Sequence, residues 1–441
     1  MEDGERGEGK ALRKSDFEGG EMTPETAPHV GGSLLTIGDE ILLGDILNTN
    51  AHHIAVALRA NGFRLERVIT VEDREEAIAA ALQQLLPVSA FLIVTGGLGP
   101  TDDDRTKEAV ARAFSLPLAV DPSDLERLKE RTRTTGTPWN HRIQRLAELP
   151  RGATKMAPGR PMAGFFLEHQ GVPCYFLPGV PYEMETLLDD IVLPDLKRRF
   201  PHRPVTRKRI LRVQEMMEAE INQRLQGFDP VETGVVLGYL PQVGENWVTL
   251  LAVGRSEAEV AEALDKAEAR VTALLGGEHV SGRDDESLEV VVGRLLKEKG
   301  WMLAVAESCT GGLLARRITR VPGASDYFER GYVTYSNRAK EELLGVPPEI
   351  LAAHGAVSEA VCRAMAEGAR DKAGVEAALA VTGIAGPTGG SLEKPVGTVF
   401  VGCAAGDRTV VKRCLFHGSR ERIQQQSAHA ALTLLWRRLK P

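Results

Sequence analysis

Short apolar runs that alternate with helical segments limit the fold of this chain more than any other feature. Phe91–Thr95, with the sequence FLIVT, is typical of a strand in the middle of a parallel sheet. It is preceded by a strand at Gly31–Ile37, a helix at Asn50–Asn61, a strand at Arg67–Val71 and a helix at Arg74–Leu86. Such alternation predicts right-handed β-α-β units, which bind ligands at the carboxyl ends of their strands.

The last third of the chain repeats this pattern, so the predicted fold class is α/β with two layered domains. The predicted strands of this part are Met302–Ala306, Tyr332–Ser336, Ala377–Thr382 and Thr398–Ala404. The predicted helices are Leu288–Glu298, Gly311–Thr319, Ser358–Ala373 and Arg420–Leu439.

A strand, a helix, two paired strands and a long helix are predicted between the two domains, in a small α+β module similar to a KH module. KH modules hold a nucleic-acid backbone with a GxxG loop, whereas the loop after the first helix here is QGFD, at 226–229. We expect this module to serve mainly as a spacer or a dimer contact. The predicted domain bounds are 31–195, 204–276 and 286–441, after a disordered extension at 1–30.

Charge and composition favour a cytoplasmic protein and disfavour a dedicated nucleic-acid binder. The formal net charge of the 441 residues is −7, without the basic excess usual in nucleic-acid binders. No run of about 18 apolar residues predicts a membrane span. The five cysteines form no CxxC pair, which disfavours a disulfide framework and a cysteine zinc site. The N-terminal MEDGERGEGK lacks the apolar segment of a signal peptide.

A serine and a lysine in the C-terminal loops predict acyl-transfer chemistry. ESCTGG, at 307–312, joins a strand to a helix, where free backbone N–H groups can hold an oxyanion or a phosphate. Lys340 follows the next strand, and a poorly hydrated lysine can take the proton of Ser308. Two alternatives stay open: Cys309 is the nucleophile, or Ser308 and Thr310 merely cap the helix.

Carboxylates follow two strands of the N-terminal domain. The segment GGLGPTDDDRT, at 96–106, contains Asp103 and Asp104, and Asp39 and Glu40 follow the first strand. Oxygen ligands at strand ends suit Mg²⁺ or Mn²⁺ together with a phosphate. The alternative is that the three consecutive aspartates cap the helix that begins near Thr106.

Five motifs closely resemble the C-terminal domain of the CinA family and its stand-alone relatives, the nicotinamide-nucleotide amidases called PncC: AESCTGG (306–312), YSNRAK (335–340), HGAVSE (354–359), TGIAGPTGG (382–390) and EKPVGTVF (393–400). The resemblance implies that the carboxamide of nicotinamide mononucleotide (NMN) is hydrolysed to nicotinate mononucleotide and ammonia without a cofactor. It implies that Ser308 is the nucleophile and Lys340 the base, with Tyr335 beside them. The substrate-binding residues that it implies are Thr310, Gly311, Asn337, Thr382, Gly383, Gly386 and Arg420.

In this family the backbone of Gly383 would serve the oxyanion or the phosphate, and Arg420 would hold the phosphate. The chain departs from the family pattern at three positions. Ser419 stands where an acidic residue is usual, Gln424 stands near a usual basic residue, and Arg338 replaces an acidic residue. These departures leave the serine and the lysine in place but affect how the phosphate is held.

Three further motifs resemble the CinA N-terminal domain, which is similar to the MoaB/MoeA molybdopterin-binding fold: GDEILLG (38–44), VTGGLGPTDDDRT (94–106) and LPGVPYEME (177–185). The resemblance implies a pyrophosphatase that acts on ADP-ribose with a divalent metal such as Mg, Mn or Co. It implies Asp103 and Asp104 as metal ligands, and it places Asp39, Glu40, Gly97, Thr101, Thr106 and Glu183 at the site. The family's VGDN and NPxGTAPG stretches are altered here, at 71–74 and 156–164, which weakens this activity more than the amidase.

The sequence therefore favours an NMN amidase, with ADP-ribose hydrolysis as a second activity. One rival function is a metal-dependent pyrophosphatase whose C-terminal domain only senses nucleotides. The other is a non-enzymatic interaction protein connected with competence. Small nucleotides and a second copy of the chain are the expected partners, whereas a membrane and nucleic acid are not.

Overall fold

The computed structural model describes residues 29–136, 138–158 and 163–440, without the side chains of residues 141 and 142. Residues 1–28 of the extension predicted at 1–30, and residues 159–162 of the altered 156–164 stretch, lie outside these ranges, whereas Val30 begins the first strand. The chain divides into two compact units. One comprises the residues up to Lys208 together with Ala252–Ala263, and the other comprises Arg209–Leu251 and Leu264–Pro441.

The first unit contains a mixed sheet with a parallel centre. The strands of this unit are β1 (Val30–Ile37), β2 (Phe63–Val71), β3 (Phe91–Thr95), β4 (Leu118–Val120), β5 (Glu148–Pro150), β6 (Thr154–Lys155), β7 (Phe165–His169) and β8 (Val172–Leu177). Of these, β4 and β5 pair with each other in a separate two-stranded sheet. The helices of the unit are α1 (Asp39–Leu42), α2 (Thr49–Ala60), α3 (Glu75–Leu85), α4 (Thr106–Ala113), α5 (Pro122–Thr135), α6 (His141–Arg145), α7 (Pro181–Leu187) and α8 (Leu193–Arg199). The strand order is β2-β1-β3-β8-β7-β6, with β2, β1, β3 and β8 parallel. The predicted parallel centre is confirmed.

Helices cover both faces of this sheet, because successive residues of its buried strands point to opposite sides. Leu34 packs in one core with Ile54 of α2 and Met184 of α7. Leu35 packs in a second core with Ile78 of α3. The carboxyl ends of β1 and β3 lie side by side, at the edge of the sheet where these parallel strands end.

A second, smaller sheet follows along the chain. Its elements are β9 (Val205–Gln214), α9 (Glu218–Arg224), α10 (Pro230–Thr233), β10 (Val235–Pro241), β11 (Glu245–Gly254), α11 (Glu257–Leu275) and β12 (Val280–Arg283). The strand order is β10-β11-β9-β12, and β12 is a strand that the sequence pattern did not predict. Its sequence VSGR has a single apolar residue, so it carries no apolar run. The similarity to a KH module stays a prediction.

The last sheet places the chemistry-bearing loops. Its elements are α12 (Leu288–Lys299), β13 (Leu303–Glu307), α13 (Leu313–Thr319), β14 (Phe328–Val333), α14 (Asn337–Leu344), α15 (Pro348–His354), α16 (Glu359–Ala373), β15 (Ala377–Gly383), β16 (Thr398–Ala405), β17 (Arg408–Leu415) and α17 (Arg420–Leu439). The strand order is β14-β13-β15-β16-β17. β13 is parallel to β14 and β15, whereas β16 and β17 follow antiparallel.

Helices again cover both faces, and the α/β fold class is confirmed. Val305 of β13 packs with Leu314 of α13 and Leu432 of α17, while Ala306 packs on the other side with Leu344 of α14 and Met365 of α16. The helices α14 and α15, and the strand β17, were not predicted. None of the helices in the described ranges is long and apolar enough to cross a membrane.

Candidate active site

Three loops of the second unit open at one edge of its sheet. Glu307, at the end of β13, lies in parallel register with Val333 of β14 and Val381 of β15. The chain therefore leaves all three strands on the same side. The ESCTGG, YSNRAK and TGIAGPTGG loops follow these three strands and lie at this edge.

Ser308 and Lys340 meet in the interior of this edge. Lys340 lies on α14, and the Ser336 side chain caps the first turn of this helix. Only 1% of the surface of Lys340 is exposed. Its Nζ lies 3.1 Å from Ser308 Oγ and donates to the carbonyl oxygen of Thr334 at 2.7 Å. Burial lowers the pKa of Lys340, because the charged form loses its hydration. A lysine that loses its proton here can accept the proton of the Ser308 hydroxyl.

The Glu307 carboxylate lies at the N-terminus of α13, where the sequence predicted free N–H groups for an anion. This fully buried carboxylate accepts the backbone N–H groups of Gly312, Leu314 and Ala315 at 3.0, 3.0 and 2.8 Å. These three N–H groups are therefore not free to hold an oxyanion or a phosphate. A buried carboxylate needs hydrogen-bond donors, and the positive end of the helix dipole supplies them from within the chain.

Cys309 lies next to Ser308, but its thiol is not activated as a nucleophile. Its side chain is buried, and burial raises the pKa of the thiol to about 12. A protonated thiol is a poor nucleophile, so the geometry favours Ser308. The Cys309 carbonyl oxygen accepts a hydrogen bond of 2.7 Å from Nε2 of Gln424, on α17. Gln424 was connected only with how the phosphate is held, because its contact with the distant Cys309 leaves no local sequence pattern.

Tyr335 and Arg420 join two of the loops to α17. The Arg420 guanidinium donates to the Gly386 carbonyl oxygen at 2.7 Å and to the Tyr335 hydroxyl at 3.1 Å. Tyr335 is 63% exposed and lies at the mouth of the site. Gly383 packs so tightly that an added Cβ would lie 2.8 Å from the Thr398 carbonyl oxygen. The structure thus brings Tyr335, Gly386 and Arg420 together, and the Arg420 guanidinium can bind an anion at this place.

The remaining predicted substrate residues are placed differently. Thr310 is buried, and its hydroxyl has no hydrogen-bond partner among the described residues. Gly311 has a left-handed backbone with φ of +61°, and an added Cβ would meet nothing. Asn337 is exposed at the start of α14. Thr382 is buried and donates its hydroxyl to the Ala356 carbonyl oxygen at 2.8 Å, so this side chain braces a neighbouring loop.

Carboxylates also gather at the sheet edge of the first unit. Asp39 and Asp73 follow the paired ends of β1 and β2, and the N–H of each donates to the carboxylate of the other, at 2.9 and 3.3 Å. Burial raises the pKa of Asp73, and the charges of Asp39, Glu40 and Asp103 add to that rise. Asp73 was not predicted as a site residue, although parallel pairing of the two strands predicts its place.

The GGLGPTDDDRT loop is held largely by its own groups. The Asp104 carboxylate accepts the N–H of Thr101 at 2.8 Å and also the Thr101 hydroxyl. Thr106 is buried, and its hydroxyl donates to a carbonyl oxygen of the same loop at 2.9 Å. A Cβ at Gly97 would lie 2.4 Å from the Thr106 hydroxyl oxygen. The Thr101 hydroxyl holds the pKa of the exposed Asp103 below its usual value.

The metal ligands expected in this loop are not gathered into one cluster of ligand side chains. In the described parts of the chain, no group of three His, Cys, Asp or Glu side chains is placed to hold a metal ion. The assignment of Asp103 and Asp104 as ligands therefore stays a prediction. Glu183 is half-buried in the first turn of α7.

A cavity opens beside these carboxylates at the ends of β1 and β3. Glu40, Asn48, Asn50 and Thr95 contribute to its lining. Asn50 is buried and donates to the Thr95 hydroxyl at 3.2 Å and to the Gly179 carbonyl oxygen at 2.8 Å. Its Oδ1 has no partner among the described residues. A buried acceptor without a donor is unusual in a native fold and suits a polar ligand.

Comparison with known proteins assigns both halves of the chain. A family model described as the CinA C-terminal domain matches residues 285–439, and one described as a probable molybdopterin binding domain matches residues 33–198. A CinA-like protein of Syntrophobacter fumaroxidans is 57% identical over 413 residues, which cover 94% of this chain and 97% of the relative. A CinA-like protein of Geobacter sulfurreducens is 45% identical and covers 92% of this chain and 98% of its own.

Solved structures match the two parts separately. A competence/damage inducible protein from Agrobacterium tumefaciens is 40% identical, covers 34% of this chain and 92% of its own, and has a TM-score of 0.34. The molybdopterin biosynthesis enzyme MoaB from Thermus thermophilus is 22% identical, covers 39% of this chain and 94% of its own, and has a TM-score of 0.27. The high identity over almost the whole chain is decisive: the protein belongs to the CinA family and combines a MoaB-like domain with a CinA C-terminal domain.

Proposed function

We propose that the second unit hydrolyses the carboxamide of NMN to nicotinate mononucleotide and ammonia. The observation that carries this proposal is the buried contact of 3.1 Å between Lys340 Nζ and Ser308 Oγ. A serine hydroxyl needs an adjacent base to become a nucleophile, and this lysine is both close and partly deprived of water. The NMN specificity comes from the resemblance to nicotinamide-nucleotide amidases.

The reaction starts with a proton transfer from the Ser308 hydroxyl to the neutral Lys340 amine. Ser308 Oγ then bonds to the carboxamide carbon, and the carbonyl electron pair moves to the oxygen to form an oxyanion. Lys340 returns its proton to the amide nitrogen, the carbon–nitrogen bond breaks, and ammonia leaves. Water attacks the resulting ester with Lys340 again as base, which releases the acid and restores Ser308.

The Arg420 guanidinium supplies a binding group for the nucleotide phosphate. Its two hydrogen bonds, to the Tyr335 hydroxyl and the Gly386 carbonyl oxygen, orient it at the mouth of the site. A phosphate accepts paired hydrogen bonds from a guanidinium especially well. The nicotinamide ring then extends inward to Ser308, and the phosphate stays near solvent.

Ammonia release from NMN by the purified chain tests this function. We expect release that persists in EDTA and in Cys309→Ala, and that disappears in Ser308→Ala. Cys309→Ala is the matched control, because it removes the neighbouring side chain and leaves the Ser308–Lys340 pair. Inactivity of Cys309→Ala alone would contradict the choice of nucleophile, and no release from any form would contradict the reaction.

We propose a second site in the first unit, where a small nucleotide such as ADP-ribose binds at the ends of β1 and β3. The Oδ1 of Asn50, which has no partner among the described residues, favours this proposal, because an exocyclic amine or a hydroxyl of a nucleotide can donate to it. Hydrolysis of the pyrophosphate of ADP-ribose is the activity to measure there.

Calorimetric titration with ADP-ribose tests this second site, with and without added Mn²⁺. We expect binding by the intact chain and at least tenfold weaker binding by Asn50→Leu. Release of AMP and ribose phosphate in Mn²⁺, abolished by EDTA, would support the pyrophosphatase. Ser308→Ala is the control that leaves this site intact. Pyrophosphate hydrolysis without ammonia release would instead favour the rival function of a nucleotide-sensing second unit.

A further inference from the structure

The peptide group between Cys309 and Thr310 is anchored from one side only. Its carbonyl oxygen, on Cys309, accepts the hydrogen bond of 2.7 Å from Gln424 Nε2. Its N–H group, on Thr310, has no acceptor among the described residues, although Thr310 is only 3% exposed. A trans peptide is planar, and its C=O and N–H point in opposite directions. The hydrogen bond from Gln424 therefore also fixes the direction of the Thr310 N–H.

Most of the other N–H groups of this turn are already in use, although that of Cys309, like that of Thr310, has no backbone acceptor among the described residues. Those of Gly312, Leu314 and Ala315 bind the Glu307 carboxylate, and that of Ser308 donates to the Val381 carbonyl oxygen at 2.9 Å. The Thr310 N–H thus remains available two residues after the nucleophile. An unpaired buried donor beside a reacting carbonyl is the element that stabilises an oxyanion.

We propose that Gln424 is a positioning residue, which holds the Cys309 carbonyl so that the Thr310 N–H faces the oxyanion formed when Ser308 attacks the carboxamide. This inference rests on the proposed amidase function. It assigns Gln424 a role in stabilising the transition state without contact with the substrate. The usual basic residue near this position could make the same contact, because a lysine also donates to a carbonyl oxygen.

Three variants of Gln424 separate the hydrogen bond from packing. Gln424→Met keeps the length and apolar volume but removes the donor, and Gln424→Glu places an acceptor against the carbonyl. Gln424→Lys keeps a donor. Gln425→Met is the matched control, because Gln425 is its neighbour on α17 and bonds to the Glu421 carboxylate at 3.2 Å.

The steady-state kinetics of ammonia release from NMN give the readout. We expect kcat to fall about tenfold or more in Gln424→Met and Gln424→Glu, with KM changed by less than about threefold. Gln424→Lys should recover most of the loss, and Gln425→Met should match the unaltered chain. Thermal unfolding of each variant shows that the comparison is made on folded protein.

Three results would overturn the inference. A kcat in folded Gln424→Met equal to that of the unaltered chain means that the hydrogen bond does not position an oxyanion donor. A loss confined to KM means that Gln424 acts on substrate binding. A Gln424→Lys variant as slow as Gln424→Met means that packing, not the donor, matters. An unaltered chain that releases no ammonia instead overturns the amidase function, and this inference with it.

Discussion

Lys340 Nζ lies 3.1 Å from Ser308 Oγ, although the two residues are 32 positions apart and belong to different elements. Lys340 also donates to carbonyl oxygens of Thr334 and Tyr335, at 2.7 and 3.4 Å. Because these oxygens accept hydrogen bonds from both the ammonium and the neutral amine, Lys340 Nζ stays next to Ser308 Oγ whether or not it is protonated. The fold thus fixes the proton-transfer distance through main-chain atoms.

The pH dependence of the amidase reports the proton on Lys340. Burial lowers the pKa of Lys340 from the usual 10.5, and the base works only in its neutral form. We therefore expect kcat/KM to rise with pH and to level off at a pH below 10.5. Lys340→Arg should be inactive throughout, since a guanidinium keeps its proton. A flat pH profile, or an active arginine variant, would contradict the role of Lys340 as base.

Arg420 should distinguish substrates with and without a phosphate. In Arg420→Met we expect KM for NMN to rise about 10- to 100-fold, the worth of a hydrogen bond to a charged group. The kinetics with nicotinamide riboside, which lacks the phosphate, should change little. Arg422→Met, two residues along α17, is the control. An equal loss with both substrates would mean that Arg420 shapes the site and does not bind the phosphate.

Glu307 should stabilise the turn that carries Ser308. Glu307→Gln removes the charge and replaces one acceptor oxygen with an NH₂ group that faces backbone N–H groups. We expect the free energy of unfolding to fall by about 1–3 kcal/mol in urea denaturation, with reduced ammonia release. Glu298→Gln breaks only an exposed pair with Arg294 and should cost less than about 1 kcal/mol. Equal stability of the two variants would contradict this role of Glu307.

The sequence predicted the strands and the long helices better than the side-chain contacts between these elements. Phe91–Thr95 and Arg420–Leu439 were predicted with the bounds that the structure has, because a continuous apolar run and a long periodic segment are strong local signals. The helix that carries Lys340 was not predicted. It is only eight residues long, Asn337–Leu344, and follows its strand closely.

The candidate site was predicted where strand ends determine it. Parallel strands bring Ser308 and the two other loops to one edge, whatever the side chains do. The sequence did not predict which hydrogen-bond donors pair with which acceptors. Glu307 accepts hydrogen bonds from three backbone N–H groups, and Gln424 donates to the carbonyl oxygen of Cys309, 115 positions away. Such contacts depend on packing between elements, for which a single sequence holds no periodic signal.

A glycine in α16 sets the position of the helix that carries Lys340. A Cβ at Gly368 would lie 2.0 Å from the Leu344 carbonyl oxygen, at the end of α14. Gly368→Ala therefore has to push α14 away from α16. We expect a loss of stability of about 1–3 kcal/mol and a lower kcat, as Lys340 moves relative to Ser308. Thermal unfolding and the ammonia assay measure both effects, with Glu367→Ala as the neighbouring control. Unchanged stability and kcat in Gly368→Ala would contradict this tight contact.

A buried histidine links α17 to the small sheet within the second unit. His429 Nε2 lies 2.7 Å from Gln214 Oε1, on β9, and Nδ1 lies 3.3 Å from an Arg317 nitrogen, on α13. Burial lowers the pKa of His429 to about 4, and the neighbouring cations oppose its protonation further. The charged groups that face it from the surrounding elements are Arg317, Glu289, Glu245 and Arg212.

Protonation of His429 should destabilise the fold in mild acid. The unfolded chain binds the proton near pH 6.5 and the folded chain only near pH 4, so the stability is complete above pH 6.5. It falls as the pH drops from there toward 4, by at most about 3 kcal/mol. His429→Gln cannot titrate, so its free energy of unfolding in urea should decline less between pH 7 and pH 5. His354→Gln, at an exposed position, should decline as the unaltered chain does. Parallel declines in all three proteins would show that His429 does not carry this loss.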